Sequence, residues 1–211
     1  MKILSHRGYW KTVEQKNSPL AFEQSFGLGF GTETDLRDLG GRLVVSHDPP
    51  VQGALAAEMM LEIHQRHDPQ LPLALNIKAD GLQRLLVDLV ERFALKDAFV
   101  FDMSVPDTIQ WMKSGLPVFT RHSDVEETPA LYKEASGIWL DGFYSDWWDA
   151  THIRQHLDAG KRVCIVSPEL HRREHRRTWD LLAAADVVTS DQVMICTDFP
   201  QEALEVLGHA N

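Results

Sequence analysis

The chain has 211 residues, 44% of them hydrophobic and 25% charged, which is enough apolar material for a substantial core and excludes a disordered chain. A formal charge of −10 excludes a protein that coats nucleic acid, since that task needs surplus Lys and Arg to displace counterions. Any anionic ligand must therefore be met by local cations or a metal. No stretch approaches the roughly 20 apolar residues of a membrane span, and no basic-then-apolar leader opens the chain. Cys164 and Cys196 sit in the apolar runs "RVCIV" and "VMICT" and read as buried thiols in a reducing compartment. Together these features predict one globular domain over residues 1–211, in the cytoplasm.

The first apolar run, "KIL", stops abruptly at His6-Arg7-Gly8, as a buried strand does where its carboxyl end opens onto solvent. "PLAFEQSFGLG" follows with apolar residues three and four apart, the spacing of a helix. "GTETDL" is the second strand, and Gly40-Gly41 is a two-residue turn leading to a hairpin partner in "GGRLVVSHD". The stretch "PPVQGALAAEMMLEIHQRHDPQLP" reads as a helix and a turn. Strands are then predicted at "LALNI", "AFVF", "LPVFT", "GIWL", "RVCIV" and "VMICT". Helices fall between them at "GLQRLLVDLVERFAL", "VPDTIQWMKSG", "DATHIRQHLDAG" and "RTWDLLAAAD". Eight strands alternating with helices predict an α/β fold with a parallel sheet closed into a compact (β/α)8 barrel. The competing fold is a doubly wound open sheet. That fold would carry a Gly-rich phosphate turn after its first strand, and "SHRGYW" is not one.

Polar residues collect at the predicted carboxyl ends of the strands: His6 and Arg7, Glu33 and Asp35, His47 and Asp48, Asn76 and Lys78, then Asp102, Arg121, Asp141, Glu169 and Asp198. In a barrel these ends share one mouth, where the active sites of this fold are built. Glu33 and Asp35 are two apart on a strand, so their side chains point the same way. Such a carboxylate couple either pairs with Arg7 or Arg37 or holds Mg²⁺ or Ca²⁺, which prefer oxygen ligands. Two imidazoles at the same rim, His6 and His47, suit proton transfer, because an ordinary pKa near about 6.5 lets one act as base and the other as acid. Arg7 and Lys78 offer a fork of donors and a point charge to a phosphate.

In these residues the chain resembles the glycerophosphodiester phosphodiesterase family of phospholipase-C-like phosphodiesterase barrels. The family signature of H-R-G, an Asn-centred segment before Ala-Phe, E-x-D and H-D corresponds to His6-Arg7-Gly8, Asn17-Ser18 before Ala21-Phe22, Glu33-Thr34-Asp35 and His47-Asp48. Thr197-Asp198-Phe199-Pro200 is similar to the closing T-D-x-P. The resemblance implies metal-dependent cleavage of a small phosphodiester, with His6 and His47 as the acid-base pair. It also implies Glu33 and Asp35 as metal ligands, with Arg7 and Lys78 on the phosphoryl oxygens.

The chain departs from the family twice. Asn76-Ile77-Lys78 stands where the family places a Glu two residues before the Lys, so Asn76 would offer a neutral oxygen, and Glu169, Asp141 or Asp102 would have to compensate. The segment after His47-Asp48 is also short, lacking the usual insertion that covers the glycerol end of the substrate. A catalytically weak or inactive member that binds phosphodiesters or sugar phosphates is thus the alternative. "HRREH", His171 to His175, matches a zinc pattern but is dense with Arg and reads as the solvated start of a helix, while His152 and His156 read as residues of a surface helix.

Overall fold

The computed structural model describes residues 1–208. Its contacts divide the chain into two compact units, Ser5–Val118 and Met1–Leu4 with Phe119–Asn211, here called the amino and carboxyl units. The first strand, β1 (Lys2–His6), straddles the division.

In the amino unit, Ser18 caps α1 (Pro19–Gly27) by accepting the Ala21 N–H at 3.2 Å, and Pro19 occupies the first helical position, where its missing N–H costs nothing. β2 (Gly31–Leu39) and β3 (Arg42–Val45) run antiparallel with Leu39 opposite Arg42. That register leaves Gly40 and Gly41 as the two-residue loop, with φ of 59° and 77°, the primed turn that a tight hairpin needs. β4 (Leu55–Ala56) extends the hairpin, and α2 (Ala57–His67) follows as the helix expected there. β5 (Leu73–Ile77) lies parallel to β2, with Asp35 opposite Asn76. After α3 (Gln83–Arg92), β6 (Ala98–Phe101) pairs parallel to β5, and Ser104 caps α4 (Val105–Trp111). Phe22, Phe26, Leu36, Met60, Leu86 and Trp111 belong to one continuous buried cluster between these helices and the sheet.

In the carboxyl unit, β7 (Phe119–His122), β8 (Gly137–Leu140), β9 (Arg162–Val166) and β10 (Val193–Thr197) lie side by side in that order, all parallel. The intervening helices are α5 (Ala150–Asp158) and α6 (Arg176–Ala183), and α7 (Pro200–Leu207) closes the unit. All eight predicted strands form. The sequence reading contains no counterpart of α7, which Pro200 opens from its first turn. Cys164 and Cys196 are both fully buried, on β9 and β10. Within each unit the parallel strands put their carboxyl ends on one edge, and the predicted functional side chains lie along it.

Candidate active site

Glu33 and Asp35 lie on the same face of β2 and are 2% and 0% exposed. The H-R-G turn is fastened beside them by its backbone: Arg7 N–H donates to the Glu33 carbonyl at 2.9 Å, and Gly8 N–H donates to Thr32 Oγ1 at 3.0 Å. Gly8 has a φ of 80°, and a Cβ there would stand 2.7 Å from the Cβ of Ala21. Both facts demand glycine, which explains the third residue of the triplet.

Arg7 adopts the left-handed conformation, φ 62°, at a cost of about 1–2 kcal/mol. Its Nε stands 2.9 Å from Asp35 Oδ2, but the N–H is not aimed along that line, so the contact is ionic and not a hydrogen bond. Lys78 Nζ is 3.6 Å from Asp35 Oδ1 and 3.3 Å from Asp102 Oδ2. Asp102, a compensating carboxylate in the sequence reading, is therefore an anchor for Lys78.

Sequence reasoning quoted Asn17 only as part of a motif, yet its amide ties two of the blocks together. Nδ2 donates to Asp35 Oδ2 at 2.9 Å, Oδ1 accepts from Thr34 Oγ1 at 2.9 Å, and the backbone N–H donates to the Arg7 carbonyl at 2.9 Å. Asn17 also has a positive φ, 56°, a conformation that Asn tolerates better than most residues. The spacing of Asn17 and Asp35 along the chain gave no signal of this contact.

Glu33 has a different environment. Asn76 Nδ2 donates to its Oε1 at 3.2 Å, and His6 Nε2 lies 3.9 Å from its Oε2. Burial first, and the charge of Asp35 second, push the Glu33 carboxyl up to about 7, against the pull of His6, Arg7 and Lys78. Glu33 Oε2, Asp35 Oδ1 and Asn76 Oδ1 are all buried without a hydrogen-bond donor among the described residues. A buried acceptor left unsatisfied costs about 1–3 kcal/mol. Three such oxygens, two of them from carboxylates, form a donor set suited to a hard divalent cation. Among the described residues no group of three or more His, Cys, Asp or Glu side chains could hold a metal ion; the set here is two carboxylates and an amide.

His47 follows β3, about half exposed, with Nδ1 2.8 Å from Asp48 Oδ1. Arg37 Nε donates to the His47 carbonyl at 3.0 Å, and Ser46 Oγ donates to the Asp48 carbonyl at 2.7 Å, so the turn presenting the ring is pinned. A proton on Nδ1 directed at Asp48 leaves Nε2 as the accepting nitrogen.

Glu169 belongs to the carboxyl unit, and both of its oxygens already have donors. Oε2 accepts from Ser167 Oγ, and Oε1 accepts from Thr197 Oγ1 at 2.5 Å and from Asp198 N–H at 3.1 Å. Its surroundings give it the role of binding the T-D-x-P turn to the loop after β9. Asp141 is likewise engaged, by Arg121 Nη1 at 2.6 Å and His171 Nε2 at 2.7 Å. The histidines of "HRREH" do not share a helix face, since α6 begins only at Arg176, and His175 instead packs on Trp179 with ring centres 4.4 Å apart.

No protein-family model matches the chain, and no curated protein matches it in sequence. Solved structures do match. A glycerophosphodiester phosphodiesterase from Agrobacterium tumefaciens aligns with a TM-score of 0.70 over 99% of each chain at 17% identity. The chain shares the α/β-barrel fold of that protein. An Oleispira antarctica phosphodiesterase in complex with sn-glycerol-3-phosphate aligns at 0.67 over 99% of this chain and 97% of its own, at 13% identity. The tryptophan synthase alpha chain of Legionella pneumophila also aligns, at 0.53 and 12% identity over 98% of this chain and 87% of its own. One fold carries different names here, so side chains must decide the chemistry.

Proposed function

We propose that the chain is a phosphoric diester hydrolase of the glycerophosphodiester type, a single domain over residues 1–211 that releases an alcohol and a phosphomonoester from a small-molecule phosphodiester. The observation that carries this reading is the group of three donorless oxygens on Glu33, Asp35 and Asn76 beside Arg7, Lys78 and His6. These three residues would hold Mg²⁺ or Ca²⁺, and the bound cation would supply positive charge to the phosphoryl oxygens as negative charge builds on them. Arg7 and Lys78 orient the diester by donating to its non-bridging oxygens. His47 Nε2 takes the proton from the water that attacks phosphorus, and His6 gives a proton to the alkoxide that departs from it, which is a poor leaving group without one. Glu169, whose oxygens are occupied, is left out of the cation's shell. The reading places the chain in a reducing compartment, the cytoplasm, in keeping with two cysteines, Cys164 and Cys196, buried within apolar strands. Among the described residues no helix is long and apolar enough to cross a membrane.

The test is the pair of substitutions His6→Ala and His47→Ala, each expected to abolish alcohol release while the circular dichroism spectrum stays unchanged. Full activity in both would end the proposal. A second reading, a phosphodiester-binding protein without turnover, is favoured by one observation: Asn76 contributes no charge and spends its Nδ2 on Glu33. Calorimetry separates the two, because a folded protein that binds the diester yet neither Mg²⁺ nor Ca²⁺ fits only the second.

A further inference from the structure

A cavity of about 480 Å³ opens in the carboxyl unit between the first turn of α5 and one face of α6. That size falls within the roughly 300–1,000 Å³ of small-molecule sites. Trp148, Ala150, Leu181 and Leu182 give it apolar walls, and Arg177 and Thr178 bring donors to it. None of these residues takes part in the proposed hydrolysis. Leu182 is packed into the unit at 2% exposure, whereas Leu181 is 65% exposed although it is apolar.

Two carboxylates line the same cavity, and both are already engaged. Asp146 accepts from Arg173 Nη2, and Asp149 caps α5 by accepting the N–H groups of Thr151 at 2.8 Å and His152 at 3.2 Å. The donors are in the opposite condition. Arg176 pairs with Asp180 at 3.6 Å, yet the Arg177 guanidinium beside it has no carboxylate partner among the described residues. Thr178 is 6% exposed, and its hydroxyl has no hydrogen-bond partner among the described residues. Trp147 Nε1 donates to the Asp141 carbonyl at 2.6 Å, but Trp148 Nε1 meets no acceptor among those residues and its ring packs on no other ring. A hydroxyl that gives up water without gaining a partner is unfavourable, so an acceptor brought into the cavity relieves that cost.

We propose that this cavity binds a small aromatic monocarboxylate, with the carboxylate on Arg177 and Thr178 and the ring against Trp148 and Leu181. The fork of a guanidinium matches the two oxygens of a carboxylate, and the Thr178 hydroxyl adds a donor. One guanidinium neutralises one negative charge. Asp146 and Asp149, on the wall of the same cavity, repel the second charge of a phosphomonoester, so the site selects a monoanion. A neutral aromatic alcohol leaves Arg177 as it stands, without a counter-charge. A flat ring meets the indole of Trp148 by offset or edge-on contact, removes Leu181 from water, and has few rotors to freeze on binding.

The test is titration of the intact chain with naphthoate, read at the indole N–H cross-peak of Trp148 in ¹H–¹⁵N spectra, which Trp148→Phe identifies among the six tryptophans. Naphthoate is expected to move that peak saturably, with a Kd below about 1 mM. Naphthylmethanol and naphthyl phosphate are each expected to bind at least tenfold more weakly. Arg177→Gln is expected to weaken naphthoate at least tenfold, and Thr178→Val, which keeps the shape and deletes the hydroxyl, at least threefold. Arg177 lies on an exposed stretch of α6, so Arg177→Gln keeps the test available if Thr178→Val does not fold. Arg176→Gln removes the same charge one residue away and is expected to change the Kd less than twofold. The proposal is overturned by a Trp148 peak that does not saturate up to about 10 mM naphthoate, by an unchanged Kd in Arg177→Gln or Thr178→Val, by equal losses in Arg176→Gln and Arg177→Gln, or by an alcohol or phosphate that binds as tightly as the carboxylate.

Discussion

Replacing Asn76 by Asp tests the candidate cation site most sharply, because the two side chains have the same shape. Asn76 is 6% exposed; its Nδ2 donates to Glu33 Oε1 at 3.2 Å and its Oδ1 has no donor. Asp would remove the donor and add a third negative charge beside Glu33 and Asp35. Without a cation, a lost hydrogen bond to a charged group costs about 1.5–3 kcal/mol, and like charges about 4 Å apart repel by about 4 kcal/mol at an effective dielectric constant of about 20. Arg7 and Lys78 offset part of that repulsion, so the cation-free variant is expected to be less stable by about 2–4 kcal/mol. A bound cation relieves that repulsion. A gain of about 2 kcal/mol in cation binding corresponds to a Kd about thirtyfold lower. Calorimetric titration with Mg²⁺ and Ca²⁺ reads that ratio directly, and saturating cation is expected to stabilise the variant by about 2 kcal/mol more than it stabilises the wild type, offsetting the cation-free loss. A folded Asn76→Asp protein with unchanged or weaker affinity for both ions would refute the reasoning.

Glu33 is protonated more readily in the folded chain than in the unfolded one, so a cation must displace a proton there below about pH 7. Affinity for Mg²⁺ or Ca²⁺ is expected to rise with pH up to about 7 and level off above it, by calorimetry in a pH series. For the same reason the cation-free protein is expected to lose stability as pH rises from 4.5 to about 7, and Glu33→Gln should remove both dependences. Asn17→Gly keeps the positive φ but deletes the amide that aims Asp35; cation affinity is expected to fall about tenfold, or about 1.4 kcal/mol, with little change in secondary structure. Gly8→Ala would force a Cβ to 2.7 Å from Ala21, and urea unfolding is expected to show a loss of more than about 2 kcal/mol.

Most of the sheet is legible in the sequence because strands such as β5, β6, β8 and β9 are short apolar runs, whereas β2, Gly31–Leu39, is largely polar although buried over most of its length. The hairpin is legible because Gly40-Gly41 can supply two consecutive positive φ values. α7 is harder to see, since Pro200 reads as the end of T-D-F-P although it also suits a first helical turn. His156 shows where spacing misleads: it lies three residues from Ile153 and so shares that residue's buried face, which a surface-helix reading of His152 and His156 misses. The residue types of the candidate site can be read from the blocks themselves. What links them cannot, because the Asn17–Asp35 contact depends on left-handed turns at Arg7 and Asn17 that nothing in those residue types demands. Glu169 is the converse case, a carboxylate placed by sequence at a strand end whose nearest partners are two hydroxyls and a backbone N–H.

The most direct measurement is phosphorus NMR of the purified chain incubated with a panel of glycerophosphodiesters, lysophospholipids and cyclic phosphates, with Mg²⁺, with Ca²⁺ and with chelator. A phosphomonoester resonance should grow with a divalent cation, vanish with chelator, and be absent in Asp35→Asn at matched folding. A spectrum in which no diester is consumed under any of these conditions would contradict the assignment of Glu33, Asp35 and Asn76 to a hydrolytic site.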